Sequence, residues 1–173
     1  MTTTKPVLGF AAFSGTGKTT LLEKLIPLLT AQNIRVGMVK HAHHNFDIDT
    51  PGKDSYRLRK AGAGQMLIAS SQRQALMTEN TTGQEPRLDE LITRLDLDNI
   101  DLVLVEGFKH VPFPKIELHR QALGKTRLYP EDPDIIAVAS DHRADCGDLP
   151  SLDINDTAAI AAFIVTWLST ATN

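Results

Sequence analysis

The sequence contains a single cysteine, Cys146, so no disulfide bond can form within the chain. Aromatic residues make up only 5% of the 173 positions, and Asp and Glu outnumber Lys and Arg by 21 to 18. The absence of a basic excess argues against the broad positive surface by which proteins bind nucleic acids or anionic membranes. We therefore expect small molecules and other proteins as partners, with no nucleic acid and no membrane.

The sequence also lacks a hydrophobic run of the roughly 20 residues that a membrane-spanning helix needs. Its longest run extends from Ala158 to Leu168 and is interrupted by Thr166. The first residues, Met1 to Pro6, lack the charged and apolar regions of a signal peptide. These absences predict a cytoplasmic protein. A chain of 173 residues with 42% hydrophobic residues is long enough to form one domain with a full core.

Three apolar runs without polar alternation are typical of strands buried on both faces of a parallel sheet. These buried strands are predicted at Val7–Phe13, Asp101–Val105 and Ile135–Ala139. Three further strands are predicted at Ile34–Lys40, Gln65–Ala69 and Gln74–Thr78.

Helices are predicted between these strands from leucines and other apolar residues at helical spacing. The first covers Thr19–Ala31, where Pro27 should kink or shorten it because proline lacks the N–H of an interior position. The other helices are predicted at Tyr56–Lys60 with Asp54 or Ser55 as the cap, at Leu88–Leu95, and after the capping residues Asn155, Asp156 and Thr157.

Alternating strands and helices predict an α/β fold, with a mainly parallel sheet, flanking helices and an extended strand segment. Right-handed crossovers place the carboxyl ends of the strands at one edge of the sheet, where ligands bind. We expect a single domain, with a polar insert at about residues 41–86 and a loop at about 109–134 as partner or dimer elements.

Residues 12–19, with the sequence AFSGTGKT, follow the Walker A pattern with alanine in place of the first glycine. They lie between an apolar strand and a helix, where backbone N–H groups and the helix N-terminus can bind phosphates. This P-loop NTPase motif predicts a nucleoside triphosphate, with Lys18 at the β- and γ-phosphates and Thr20 near the α-phosphate. The predicted nucleotide contacts in the loop are Ser14, Gly15, Thr16, Gly17, Lys18, Thr19 and Thr20.

A magnesium ion bound with the nucleotide requires a carboxylate at the end of a neighbouring apolar strand. Glu106 takes this position, where a Walker B strand commonly has aspartate. Asp47 and Asp49, in the polar loop after the second strand, are further candidates, and Asp49 is preferred. The predicted magnesium ligands are therefore Thr19, Asp49 and Glu106.

Guanine presents two adjacent N–H donors, which a carboxylate can accept. The Asn-Lys-x-Asp motif of Ras-like GTPases is absent, but Ser140 and Asp141 come directly after the last apolar strand. Both are predicted near the base, and the alternative for Asp141 is a turn-forming role before His142. The histidines His41, His43 and His44 could bind zinc or nickel, contact a phosphate or substrate, or form a plain polar loop.

Several longer blocks resemble the family of molybdopterin-guanine dinucleotide biosynthesis protein B (MobB), P-loop proteins related to dethiobiotin synthetase and the nickel-delivery GTPases. The resemblance extends over nearly the whole chain, and its PGKDSY and EGFK blocks are far more specific than the phosphate loop alone. The blocks are Phe13–Thr20, Lys40–His44, Asp49 with Pro51–Tyr56, Leu104–Lys109, Pro114–Glu117 and Ile136–Asp141.

Resemblance to this family implies GTP with Mg²⁺, weak GTPase activity and a homodimer built partly from extended strands. It also implies a partnership with MobA, the guanylyltransferase of molybdenum-cofactor maturation, and contact with molybdopterin or its guanine dinucleotide. The same resemblance makes Asp141 a better candidate for the guanine contact. It also implies that His41, Asp49, Lys53 and Asp54 face the pocket or the cofactor. The possible contacts with the cofactor or a phosphate are then His41, Lys53, Asp54 and Lys109.

Three functions are compatible with these features. The first is a GTP-binding adapter, because neither an arginine finger nor a residue that positions the attacking water can be identified and hydrolysis should be slow. The second is a stand-alone kinase or ligase of the dethiobiotin-synthetase type. The third is a metallochaperone that uses His41, His43 and His44.

Overall fold

The structure, a computed structural model, describes residues 5–42, 46–81, 83–142 and 146–171. The chain divides into two compact units. The larger unit contains the residues up to His41 and those from Arg87 onward, and the smaller unit is Ala42–Pro86. The smaller unit covers the stretch for which the sequence predicts a polar insert.

The bounds of the strands and helices are as follows in the described residues. The strands are β1 (Val7–Ala11), β2 (Val36–Lys40), β3 (Gln65–Ala69), β4 (Gln74–Thr78), β5 (Leu102–Glu106), β6 (Lys115–His119), β7 (Ile135–Ser140) and β8 (Ser151–Asp153). The α-helices are α1 (Lys18–Thr30), α2 (Asp54–Lys60), α3 (Leu88–Ile92) and α4 (Thr157–Ala171), and short 3₁₀ helices lie at Leu97–Asn99 and Gln121–Leu123.

The larger unit is built on a six-stranded sheet with the order β2-β5-β1-β6-β7-β8. All of its neighbouring strands run parallel. The predicted α/β class with a mainly parallel sheet is therefore confirmed. Because the strands are parallel, their carboxyl ends lie at one edge of the sheet. The predicted phosphate loop, residues 12–19, follows β1 near the centre of this edge.

Alternate residues of the strands face two separate parts of the core, as the pleat of a strand requires. Leu8 and Phe10 of β1 belong to a buried cluster that includes residues of α1 and α4. Val7 belongs to a second cluster, which contains Leu88 and Ile92 of α3. Each face of the sheet is therefore covered by helices, and this explains why β1, β5 and β7 appear in the sequence as continuous apolar runs.

Strand β6 corrects the prediction of a loop at about residues 109–134, because it lies between β1 and β7 in the sheet. Its sequence alternates apolar and polar residues, a pattern typical of a strand with one solvated face. In the structure, however, the polar residues Lys115, Glu117 and His119 are all buried. The apolar signal of a buried strand was absent, and the strand was missed for this reason.

These three polar side chains hold the connection from β6 to β7 against the sheet. Lys115 Nζ lies 3.1 Å from Asp132 Oδ2 and 3.6 Å from Asp134 Oδ2. The two carboxylate oxygens of Glu117 accept the backbone N–H groups of Leu128 and Tyr129, each at 2.9 Å. His119 Nε2 lies 2.9 Å from the carbonyl oxygen of Lys125. Buried polar groups stabilise a fold when they are paired in this way.

Several predicted helix ends also differ from the structure. Helix α1 continues through Pro27 to Thr30. Helix α2 already begins at Asp54, and its N-cap is Lys53, so the prediction of Asp54 or Ser55 as the cap was wrong. Helix α3 ends at Ile92, short of the predicted Leu95. The capping of α4 agrees with the prediction, since Asp156 Oδ1 accepts the backbone N–H of Ala159 at 2.9 Å.

The smaller unit contains α2 and an antiparallel hairpin formed by β3 and β4. The bounds of these two strands are the predicted ones. Leu67 and Leu76 are directly paired across the hairpin, and their exposed fractions are 61% and 56%. In the same unit, the guanidinium of Arg59 forms ion pairs with three carboxylates, those of Asp47, Asp49 and Glu79. The unit therefore has a charged network inside it and an apolar pair on its surface.

Candidate functional site

The backbone of the phosphate loop has the conformation that its two glycines predict. Gly15 and Gly17 have φ angles of 82° and 91°, in the left-handed region that glycine enters at low cost. Gly17 is also the N-cap of α1, and no side chain caps this helix end. The first N–H groups of α1 therefore stay available to an anion, which the helix dipole also favours.

Thr16 stabilises the loop from inside. It is 2% exposed, and its hydroxyl donates a hydrogen bond of 2.7 Å to the carbonyl oxygen of Phe13. Ser14 and Gly15, in contrast, are exposed. A predicted nucleotide contact through Thr16 would therefore use its backbone, while Ser14 presents its side chain to solvent.

Lys18 lies in the first turn of α1, and its amino group is only partly accessible to water. Burial lowers the pKa of Lys18 below its ordinary value, and Lys40 and Lys109 lower it further, while the charge of Glu106 raises it. The lowered pKa reflects a positive charge that is poorly solvated in the protein alone. A phosphate group at this position would provide the missing counter-charge.

Glu106 is brought next to the phosphate loop by the sheet. It is paired with Phe10 of β1 and with Lys40 of β2, and 14% of its side chain is exposed. Lys40 Nζ lies 3.3 Å from Glu106 Oε2. Glu106 is also close enough to Lys18 to act on its pKa, and Thr19, the next residue, is exposed. A carboxylate and a hydroxyl fit the oxygen ligands that Mg²⁺ prefers, with water completing its coordination.

The turn after β5 has an unusual backbone. Gly107 has a φ of 94°, and a Cβ at this position would lie 2.6 Å from the Cβ of His41. Phe108 has a φ of 54°, a conformation that costs a residue with a side chain roughly 1–3 kcal/mol. The rings of His41 and Phe108 are in contact, with their centroids 4.8 Å apart. His41 is therefore packed against this turn, and Lys109 follows directly after it.

Two lysines lie beside Phe13 of the phosphate loop. Lys109 Nζ is 5.9 Å and Lys125 Nζ 5.8 Å from the centre of the Phe13 ring. Within the described part of the chain neither lysine forms a salt bridge. Together with Lys18 and Lys40 they surround the loop with positive charge, although the chain as a whole has a net charge of −3. This local charge favours a polyanion such as a triphosphate.

Asp141 lies directly beyond β7, as predicted, and its carboxylate contacts the segment that follows β6. Its Oδ1 accepts the backbone N–H of Gln121 at 3.0 Å, and its Oδ2 lies 3.8 Å from Arg120 Nη1. About a quarter of the side chain is exposed. The hydroxyl of Ser140 is buried and accepts a hydrogen bond from Arg127. A nucleotide could therefore reach the side chain of Asp141, whereas that of Ser140 faces the protein.

Three of the predicted contacts belong to the smaller unit. Asp49 accepts hydrogen bonds from Ser55 and Arg59, and its side chain is only 5% exposed. A magnesium ion would have to compete with Arg59 for this carboxylate. Lys53 caps α2, and Asp54 is 95% exposed with Arg57 as a weak ion-pair partner at 3.7 Å. The roles predicted for these three residues stay predictions.

Of the predicted histidine cluster, His43 and His44 lie outside the described residues. His41 packs on the turn after β5, as described above. No group of three or more His, Cys, Asp or Glu side chains suited to a metal ion occurs in the described residues. In the same part of the chain, no helix combines the length and hydropathy needed to span a membrane.

Sequence reasoning missed three residues at this edge of the sheet. Lys125 and Arg120 follow β6, and Asn155 follows β8. Arg120 donates hydrogen bonds to the carbonyl oxygen of Thr16 at 3.0 Å and to Asn155 Oδ1 at 3.2 Å. Recognising β6 as a strand would have placed Arg120 at the ligand-binding edge, so the missed strand also concealed this residue.

Comparison with known proteins points to one family. The family model described as "MobB: Molybdopterin guanine dinucleotide synthesis protein B" matches residues 7–141. The chain is 53% identical over 167 residues to the molybdopterin-guanine dinucleotide biosynthesis adapter protein of Escherichia coli (strain K12), an alignment that covers 94% of this chain and 93% of the relative. The protein of the same name from Haemophilus influenzae is 49% identical, and the alignment covers 94% of this chain and 89% of that protein.

Solved structures agree with this comparison. A crystal structure of molybdopterin-guanine biosynthesis protein B superimposes with a TM-score of 0.72 at 26% identity, over 94% of this chain and 99% of the other. The crystal structure of Bacillus subtilis MobB gives a TM-score of 0.73 at 24% identity, over 92% of this chain and 96% of the other. The second of these similarities concerns the fold alone.

Proposed function

The chain belongs to the family of molybdopterin guanine dinucleotide synthesis protein B, and from this premise we propose that it is a GTP-binding adapter of the cytoplasm with weak GTPase activity. We propose that it assists MobA, the guanylyltransferase, in making the molybdopterin guanine dinucleotide cofactor. The names of the bacterial relatives, which are called adapter proteins of this biosynthesis, support the role.

The geometry of the phosphate loop is the observation that carries nucleotide binding. Three features occur together within residues 15–18. They are the left-handed glycines, the uncapped N-terminus of α1 and the desolvated amino group of Lys18. Such a site binds phosphates through backbone N–H groups and a single point charge. Thr19 and Glu106 would hold Mg²⁺, which bridges and neutralises phosphate oxygens.

Slow hydrolysis is the reason for proposing an adapter with only weak GTPase activity. Fast phosphoryl transfer requires a group that positions the attacking water and usually an arginine that neutralises the transition state. Glu106 is paired with Lys40, and the guanidinium of Arg120 is held by Thr16 and Asn155. These contacts hold both groups in place, which is consistent with a site that binds GTP and hydrolyses it only slowly.

We expect GTP with Mg²⁺ to raise the melting temperature by roughly 5–11 °C at about 100 times its Kd, because this occupancy adds about 2.7 kcal/mol to stability. ATP should produce a smaller shift, since Asp141 can accept the N–H groups of guanine but meets no such donor pair in adenine. In Asp141→Ala the shift with GTP should fall, and the difference between the two shifts should become smaller. Thermal melts of both proteins with each nucleotide measure this.

Exposed Glu131 provides a matched control, because Glu131→Ala also removes one carboxylate from the segment near β7. This variant should keep the preference for GTP. Equal shifts with GTP and ATP in the unaltered protein would contradict the guanine assignment and favour a kinase or ligase. The absence of any shift would contradict nucleotide binding by the chain alone.

The apolar pair on the hairpin supports a homodimer. Leu67 and Leu76 expose more than half of their side chains at directly opposed positions, and a two-stranded hairpin is only marginally stable by itself in water. We propose that a second copy of the chain covers this face. Leu67→Glu should convert the dimer into a monomer, because it places a charge in the apolar contact.

Sedimentation equilibrium at several protein concentrations would measure the mass of each species. Gln74→Glu is the control, because it adds the same charge at an already polar and exposed position of the hairpin, and it should remain dimeric. A monomeric unaltered protein, or a Leu67→Glu variant that remains a dimer, would contradict this interface.

Contact with molybdopterin or its guanine dinucleotide is proposed for the side chains near Phe13. Both molecules carry phosphate, and Lys109 and Lys125 provide positive charge without a salt-bridge partner in the described residues. His41, fixed on the turn after β5, lies next to Phe108 and can contribute a further polar contact. Lys53 and Asp54 are proposed contacts on the basis of the family alone.

A further inference from the structure

Three neighbouring strands of the sheet end at the same level. His119 of β6 is paired with Ser140 of β7, and Ser140 is paired with Asp153 of β8. The residues just beyond these ends are therefore brought together at the carboxyl edge. They are Arg120 after β6, Asp141 after β7 and Asn155 after β8.

The guanidinium of Arg120 connects all of these segments with the phosphate loop. Its Nε donates to the carbonyl oxygen of Thr16, its Nη2 donates to Asn155 Oδ1, and its Nη1 lies 3.8 Å from Asp141 Oδ2. An ideal Cβ at Gly17 would be 3.9 Å from Arg120 Nε and Nη2. Arg120 is thus held in a fixed orientation, yet 35% of its side chain remains exposed.

A cavity of about 230 Å³ opens beside this guanidinium. It lies between the first turns of α1, at Thr20 and Lys24, and the start of α4, at Asn155 and Thr157. Thr20, which directly follows the Walker motif and is expected near the α-phosphate, lines this cavity. A nucleotide bound at the loop could therefore extend into it. Because the cavity is smaller than the roughly 300 Å³ of pockets for whole drug-sized ligands, it suits one part of a nucleotide.

Arg120 has donors left for such a ligand. A guanidinium carries five N–H groups, and two are used by Thr16 and Asn155. The planar guanidinium can direct two parallel N–H groups, a donor fork, at the O6 and N7 acceptors of guanine. Adenine has an N–H donor at the position of O6 and does not match this fork. The neighbouring carboxylate of Asp141 suits the N–H groups on the adjacent edge of guanine.

On this basis we infer that Arg120 is a second specificity-determining residue of the nucleotide site, which recognises the O6 and N7 edge of guanine. The inference rests on the proposed binding of GTP and extends it, because guanine is then selected by a donor fork as well as by the carboxylate of Asp141. The hydrogen bond to Thr16 keeps the fork at a fixed distance from the phosphate loop.

Equilibrium competition of nucleotides against a fluorescent GTP analogue tests the role of Arg120. The unaltered protein should bind 7-deaza-GTP, which has a carbon in place of N7, about 10-fold more weakly than GTP. Arg120→Lys keeps the charge but loses the fork, and we expect it to bind GTP about 10- to 100-fold more weakly while its affinity for ATP is unchanged. The difference between GTP and 7-deaza-GTP should also disappear in this variant.

The exposed Arg94 provides the control, because Arg94→Lys makes the same chemical change away from the site and should leave all affinities unaltered. An equal loss for GTP and ATP in Arg120→Lys would mean that Arg120 only braces the phosphate loop, and would overturn the inference. If the variant does not fold, equal affinity of the unaltered protein for GTP and 7-deaza-GTP would overturn it as well.

Different results would refute the proposed function and the role of Arg120. A protein that prefers GTP over ATP but does not distinguish GTP from 7-deaza-GTP retains the proposed function and refutes the role of Arg120. A protein that binds neither nucleotide, or binds both equally, refutes the proposed function, and the inference about Arg120 fails with it.

Discussion

Lys18→Ala should abolish nucleotide binding while the protein remains folded. The amino group of Lys18 is poorly solvated and has a lowered pKa, so its removal costs the fold little. When a triphosphate is bound, in contrast, this amino group is the positive charge that contacts the β- and γ-phosphates in the motif. We expect the affinity for GTP to fall by at least 100-fold, since charge-assisted contacts are among the strongest in proteins. Isothermal titration calorimetry with GTP and Mg²⁺ would measure the loss.

Circular dichroism of the same samples would verify that the fold is intact. Arg94→Ala is a suitable control, because it removes an exposed cation from the same unit but outside the site, and it should bind GTP normally. Unchanged affinity in a folded Lys18→Ala protein would refute the assignment of residues 12–19 as the phosphate loop.

Glu117→Ala should cause the largest loss of stability of any polar substitution in the sheet. Its carboxylate is 1% exposed and accepts the N–H groups of Leu128 and Tyr129. Alanine would leave both N–H groups buried without an acceptor, at about 1–3 kcal/mol each. We therefore expect the free energy of unfolding to fall by about 2–6 kcal/mol, which urea denaturation followed by circular dichroism would measure.

Two further variants make this result interpretable. Glu117→Gln retains one acceptor oxygen and should lose less than Glu117→Ala. Glu131→Ala removes an exposed carboxylate from the same connection, and surface changes of this kind usually stay within about 0.5 kcal/mol. A loss in Glu117→Ala no greater than that in Glu131→Ala would show that the two N–H groups find other partners.

The sequence predicts correctly the elements that are buried through hydrophobic residues. Strands β1, β5 and β7 are buried on both faces by hydrophobic residues, so a short apolar run was a sufficient signal. The hairpin bounds at β3 and β4 were also right, because the intervening Ser70-Ser71-Gln72-Arg73 is clearly a polar turn. For these elements local composition and the final environment agree.

Strand β6 shows where such a prediction fails. Lys115, Glu117 and His119 are buried only because the connection from β6 to β7 supplies partners for them. Those partners are between 6 and 19 residues away in sequence, and no local pattern reveals that they will meet. The side chains were therefore interpreted as solvated, and the strand was taken as a loop.

The candidate site was predicted unevenly for the same reason. A short motif contains Lys18 and Thr19 and sets their local geometry, and strand ends predicted from apolar runs place Glu106 and Asp141 at the edge. Arg120 becomes part of the site only through the order of β6, β7 and β8 in the sheet. Its role depends on topology, which a single sequence specifies only indirectly.

The order of strands in the sheet also determines when this site can exist during synthesis of the protein. Strand β1 and the phosphate loop leave the ribosome early, but the neighbours of β1 in the sheet are β5 and β6. A nascent chain that ends before Leu102 offers β1 no partner strand, and such distant contacts form slowly because long loops must close first. A nucleotide bound as proposed would therefore not assist early folding, and the proposed binding of GTP would mark a chain whose sheet is already assembled.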